Sequence, residues 1–507
     1  MKSDNKNNRS KLAVIGTGTA GLGALTALLD KQGDFKIVVF DIGEDVSLKN
    51  KIDNSDTEQI IQYYNQIYKD IRKRNSFKFP PPKTHFAKQI SKQSVGKNLN
   101  IFKSQAFGGL TNYWGATMLP LTDREMKDWP INKEDLYPYY KKMSQVVGLA
   151  SEDDDLNKYF KYDFSTRPAI KPITMLSKLN RVINQHGQQN NYSFVSGSNR
   201  CGLETRNGYP NKCVYCGQCL AGCFNNSIYS SRMTIEKYLD DSRVEYIKAK
   251  VSKISNNNSP CIITETGDSY QGFDKVFLCA GSPHTTEIVM RSMNYKGSLS
   301  MADNAVYVFP VMYFGRGSKE MKAKEYISLC NLITCCVPKE NEEPMVQLQI
   351  YPSFEYMWRY NIPSWLWPIL KRIVNYSRTR IAFVRMYDHS KYSQSYSLRM
   401  ANDKLIMKRE RQACGGQRIK DLFKVVRKTM NHNGFYIPPI KPILQKVNSH
   451  YTATLPYNGN KIKISPLGEV MKDVFICDSS VFPDSPAVNP GFTIMANAYR
   501  VVDKVIN

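Results

Sequence analysis

No run in this 507-residue chain reaches the 18 or more uncharged apolar residues that a membrane-spanning helix needs. The first ten residues, MKSDNKNNRS, lack the apolar stretch of a secretory signal peptide, so the cytoplasm is the expected compartment. Internal repeats are missing, low complexity is confined to short Asn/Lys runs, and no nucleic-acid module is visible. Acid is in short supply: 45 Asp+Glu face 70 Lys+Arg, a formal net charge of +25. Such a field favours anionic partners, namely phospholipid, a nucleotide-sugar or a pyrophosphate-linked lipid, with nucleic acid last. Histidine is rare too, with six in the chain.

What is present describes an ordered globular protein, 42% hydrophobic and 23% charged, and too long for one core. Twelve cysteines in a reducing compartment point to metal ligands or buried thiols rather than disulfides. Residues 12–41 read as strand (KLAVI), glycine turn, helix (GLGALTALLD) and strand (FKIVVFD). Gly16, Gly18 and Gly21 have dinucleotide-fingerprint spacing: a tight turn, close backbone approach to pyrophosphate, and helix-on-strand packing. Asp41 closes the second strand, where a carboxylate accepts from a ribose hydroxyl.

Further along come FGGLTNYWGA (107–116), WPINKEDLYPYYKK (129–142), FLCAGSPHTTEIV (277–289), HYTAT (450–454) and CDSSVFPDSPAVNPGFTIMANAYR (477–500). With GTGTAG and Asp41, these pieces in this order resemble the glucose–methanol–choline (GMC) oxidoreductases, FAD enzymes that oxidise alcohols and sugars. The resemblance implies an α/β fold, with a Rossmann-like FAD-binding domain of discontinuous segments (10–120, 225–300 and 460–507). The rest, 121–224 and 301–459, would form an α+β substrate domain with an antiparallel sheet; 305–410 alternates short apolar and polar runs. Gly108, Gly109 and Asn112 would lie against the flavin ring and ribityl chain, and Val251 against adenine. Ala280 and Gly281 would line the crevice, and Asp478 would bond near the ribityl–pyrophosphate. His450 and Asn489 match the catalytic pair. The family more often has Gly where Ala453 stands, then a basic residue and Met; here Leu455-Pro456 follow, so the loop after His450 is expected to differ. A lone histidine is ordinarily structural, but the position of His450 ahead of the 478–489 block favours catalysis. Imidazole suits proton removal near neutral pH, and an Asn amide can hold the hydroxyl oxygen. The partner is then an alcohol or sugar, with the electron acceptor open between O₂ and an outside carrier. A flavin-bearing membrane protein without turnover is the rival from another class.

Two features stand apart. Cys213, Cys216, Cys219 and Cys223 have ferredoxin-like spacing, C-x₂-C-x₂-C-x₃-C, although Phe224 replaces the usual proline. A [4Fe–4S] or [3Fe–4S] cluster, structural zinc, or a metal-free packed loop all remain open, and Cys201 is a candidate distant ligand. Some GMC-type sugar dehydrogenases carry a relay cluster, and the run resembles theirs. Residues 354–386 mix Tyr356, Trp358, Tyr360, Trp365 and Trp367 with Arg359, Lys371, Arg372, Arg378, Arg380 and Arg385. This is the composition of an interfacial membrane segment, or else of an aromatic pocket wall. The first alternative suggests peripheral attachment to the inner face of the membrane and an anionic amphiphile as substrate.

Overall fold

The computed structural model describes residues 9–506 apart from 46–58, 60–61, 67–89, 95–99, 161–163, 323–324, 341, 356–357, 359–361, 364 and 446–449. Tyr356, Arg359 and Tyr360 therefore lie outside the described residues.

Strands Ser10–Ile15 and Phe35–Asp41 bury consecutive residues, 12–15 and 37–40, as expected for parallel strands covered on both faces. They belong to a six-stranded sheet in the order Glu469–Met471, Val474–Ile476, Lys275–Leu278, Ser10–Ile15, Phe35–Asp41, Val244–Lys248. All pairings are parallel except the first. Segments from both ends of the chain thus deliver their carboxyl ends to one edge, where α/β sheets bind ligands. Helix Thr19–Asp30 buries every residue from Ala20 to Leu28 and packs against the terminal helix Gly491–Val505. The crossing is tight: a Cβ on Gly23 would stand 2.2 Å from the Met495 carbonyl oxygen. Lys31–Asp503 (3.0 Å) and Tyr499–Asp30 (2.7 Å) tie the rim of this contact. Helix Lys133–Val147 joins the same layer, with Tyr140 hydrogen-bonded to Thr493 at 2.8 Å.

A second sheet is antiparallel, ordered Phe435–Tyr436, Ala305–Tyr313, Ile381–Asp388, Val346–Pro352, Leu332–Pro338, Tyr192–Ser198, with Ile443–Leu444 also on Ala305–Tyr313. Strand alternation gives it two faces. Phe309, Leu348, Ile350, Val384 and Met386 enter a core shared with helices Thr174–His186 and Gly416–Met430. Gln349, Tyr351, Arg385 and Tyr387 are on the opposite face, toward the first sheet.

Among the described residues no helix is long and apolar enough to cross a membrane. Helix Trp367–Arg378 buries Val374 and Arg378. Its outward row is apolar: Trp365, Ile369, Ile373 and Tyr376 are between 63% and 71% exposed.

Candidate active site

The carboxyl edge of the first sheet and the polar face of the second enclose a cavity of about 370 Å³, within the usual range for small-molecule sites. The fingerprint glycines divide in role. A Cβ on Gly16 would stand 2.5 Å from the Cys279 carbonyl oxygen, and one on Gly21 would stand 2.0 Å from the Gly16 carbonyl oxygen. Both are packed against backbone. Gly18 faces open space instead, with nothing within 4 Å of where its Cβ would be, and Gly281 does the same at φ +82. Gly16, Gly18, Asp41, Gly109, Val251, Ala280 and Gly281 all line the cavity. Gly108 and Asn112, expected against the flavin, are not among its lining residues. Asn112 instead braces the turn behind it, donating to the Phe107 and Gly109 carbonyls (both 2.9 Å) and accepting from Ser230 (2.8 Å).

Two carboxylates border this end. Asp41 accepts from the Thr17 backbone and hydroxyl (both 2.8 Å) and from Gly43 N–H (2.7 Å), which fixes the glycine turn. Burial outweighs these bonds and raises its carboxyl to about 6. Asp478 accepts from Gly281 N–H (2.8 Å), the Thr285 hydroxyl, and Ser480 N–H and hydroxyl (2.9 and 2.6 Å). A carboxylate has about four lone-pair sites, so Asp478 shapes the crevice by joining helix Ser282–Ser292 to the last strand.

His450 and Asn489 line the other end of the same cavity. The His450 ring stacks on Tyr387, with centroids 5.6 Å apart and planes at 19°. Asn304 Nδ2 is 3.1 Å from His450 Nδ1 and 3.2 Å from the Pro486 carbonyl oxygen. A carbonyl only accepts, so the amide N–H₂ faces it and Nδ1 in turn accepts from the same nitrogen. The ring proton of the neutral imidazole then sits on Nε2. Burial, and secondly the Arg385 guanidinium, depress the His450 pKa to about 3. Asn489 Oδ1 accepts from Gln349 Nε2, whose Oε1 accepts from the Tyr351 hydroxyl at 2.8 Å. This chain orients the Asn489 amide and leaves its N–H₂ as the group with donors to offer. In the loop after His450, Ala453 is left-handed at φ +57, a conformation that favours the glycine of the resembling family.

Asn304, Gln349, Tyr351 and Tyr387 belong to no motif and were missed, while Arg385 was singled out as one of the bases of the 354–386 segment rather than as a residue beside His450 and Asn489. For the strand residues the available signal was polar side chains sharing one face of otherwise apolar strands: Gln347, Gln349 and Tyr351 in VQLQIYP, and Arg385 and Tyr387 in IAFVRMYD.

Cys213, Cys216, Cys219 and Cys223 surround a separate void of about 20 Å³ together with Tyr64 and Phe224, about the space one water requires. Among the described residues no group of three or more His, Cys, Asp or Glu is gathered closely enough to hold a metal ion. Burial pushes the Cys216 thiol up to about 12 and that of Cys213 further. The structure gives the metal expectation no support.

No protein-family model matches the sequence, and no curated protein matches it. A crystal structure of pyridoxine 4-oxidase from Mesorbium loti aligns over 98% of this chain and 99% of that one, with a TM-score of 0.59 and 11% identity. The chain therefore shares the fold of that oxidase from end to end.

Proposed function

We propose that the protein is an FAD-dependent oxidoreductase of the GMC type that converts a CH–OH group of an alcohol or sugar to a carbonyl. One observation carries this reading: a single cavity has a glycine-built cradle at one end and His450 with Asn489 at the other. The lining suits the cofactor, since the missing side chains of Gly18 and Gly281 leave open space along the cradle. The solved structure sharing the fold is named as an oxidase, which agrees with the chemistry. When bound, FAD supplies the hydride acceptor.

The chain's own residues handle the proton. Asn489 donates an amide hydrogen to the hydroxyl oxygen, and His450 Nε2 takes the hydroxyl proton. That requires the ring proton on Nδ1, so Asn304 must turn its amide oxygen inward and give up its bond to Pro486, a cost of about 1 kcal/mol. Replacing His450 with Ala should slow anaerobic flavin reduction by about 10²–10⁴ while FAD stays bound. Undiminished reduction would remove His450 from the role. Bleaching of the flavin by any alcohol excludes the non-catalytic alternative, and oxygen uptake measured against dye reduction identifies the acceptor.

The substrate is proposed to reach the protein at an anionic membrane surface. The exposed row on Trp367–Arg378 supports this, as do the exposed Lys371 and Arg372 on the same helix. The protein should float with vesicles containing phosphatidylglycerol, and Ile369→Glu with Ile373→Glu should abolish this. Absence of flotation, or a dimer that these changes dissociate, overturns it.

A further inference from the structure

Beside the proposed catalytic pair, the cavity presents a cation that the proton chemistry does not use. Arg385 lines it from the middle of strand Ile381–Asp388. Its position relates it to both residues of the pair. On one side its guanidinium carbon is 5.2 Å from the centre of the Tyr387 ring, the ring that stacks on His450. On the other, Arg385 is paired in register with Gln349, which holds Asn489. Arg385 Nη2 donates to the Gln445 amide oxygen at 3.0 Å, and the guanidinium also donates to the Tyr351 hydroxyl, so the side chain is held in place at the cavity wall. The carboxylates among the described lining residues, Asp41 and Asp478, are engaged at the cradle end by Thr17, Gly43, Gly281, Thr285 and Ser480.

We propose that Arg385 forms an anion subsite, so that the substrate carries a carboxylate or phosphate near the hydroxyl to be oxidised. The proposal rests on the reading of the cavity as an alcohol-oxidising site. A guanidinium presents a planar fork that matches an anionic oxo group, and such charge-assisted bonds are about twice as strong as neutral ones. The subsite would also help the chemistry. Arg385 is one of the two causes of the low proton affinity of His450. An anion seated on Arg385 cancels that repulsion, so the base strengthens only when substrate is present. Hydroxyl compounds without the charge would both bind more weakly and meet a weaker base.

The test uses the flavin-loaded protein and has a binding arm independent of turnover. Acetate, inorganic phosphate and acetamide are titrated at pH 7 while the flavin absorbance band is followed. Acetate or phosphate should give a saturable shift at concentrations at least about tenfold below any effect of acetamide, with the better anion distinguishing carboxylate from phosphate recognition. Arg385→Met should abolish the difference and Arg385→Lys retain part of it. In the turnover arm, glucuronate and glucose 6-phosphate are compared with glucose, and 4-hydroxybutyrate with 1,4-butanediol, as flavin-bleaching substrates. If acetate, phosphate and acetamide behave alike, or Arg385→Met preserves the preference, the subsite is overturned. If the anions bind through Arg385 but no hydroxyl compound bleaches the flavin, the subsite holds and the oxidation reading fails.

Discussion

Asp41 shows how a single buried carboxyl can set a pH window. Its pKa is raised from about 3.8 to about 6, so the folded protein without cofactor prefers the protonated form. That contribution to stability is complete below about 3.8 and is lost as pH rises through 6. Under the proposed function, FAD binding would have the opposite sign, because the ionised carboxylate is the better acceptor for a ribose hydroxyl. FAD retention, followed by the fluorescence of released flavin, should therefore weaken as pH falls through about 6. Asp41→Asn should flatten that dependence. Asn304 governs a second titration. In Asn304→Asp a carboxylate would accept from Nδ1–H, raising the His450 pKa by about 1–3 units and moving the acid limb of flavin reduction to higher pH. Asn304→Leu should slow reduction without that upward shift.

At the scale of elements, the local pattern carried much of the fold. KLAVI, GLGALTALLD and FKIVVFD are strand, helix and strand because short, near-continuous apolar runs flank a glycine turn, the pattern of elements buried on both faces. His450 and Asn489 were legible for the same reason, being fixed in short motifs. Gln349 and Arg385 were not, since their meaning depends on which face of a strand meets the cavity, and that is decided by pairing with distant strands. The outer helix can be tested by contrasting adjacent residues. Ile373→Glu, on the exposed row, should change unfolding free energy by no more than about 0.5 kcal/mol in urea titrations, whereas Val374→Ala, buried beneath it, should cost about 1–3 kcal/mol.

For the whole molecule, the cysteine run tests how far spacing alone can be trusted. Four thiols at ferredoxin intervals border one small void, yet they are not gathered around an ion. Protein purified anaerobically should contain iron and acid-labile sulfide well below one equivalent; a stoichiometric amount would restore the relay reading. The +25 charge, by contrast, says little about fold and much about company.

The interleaving of distant segments in the six-stranded sheet also sets a schedule for synthesis. Strand Ser10–Ile15 leaves the ribosome well before its neighbour Lys275–Leu278, and Val474–Ile476 and helix Gly491–Val505 come later still. The nascent amino-terminal segment must wait with its apolar strand and helix uncovered until that later sequence has emerged. The cavity, which draws its lining from these segments and the residues that follow them, is thus completed only late in the life of the chain.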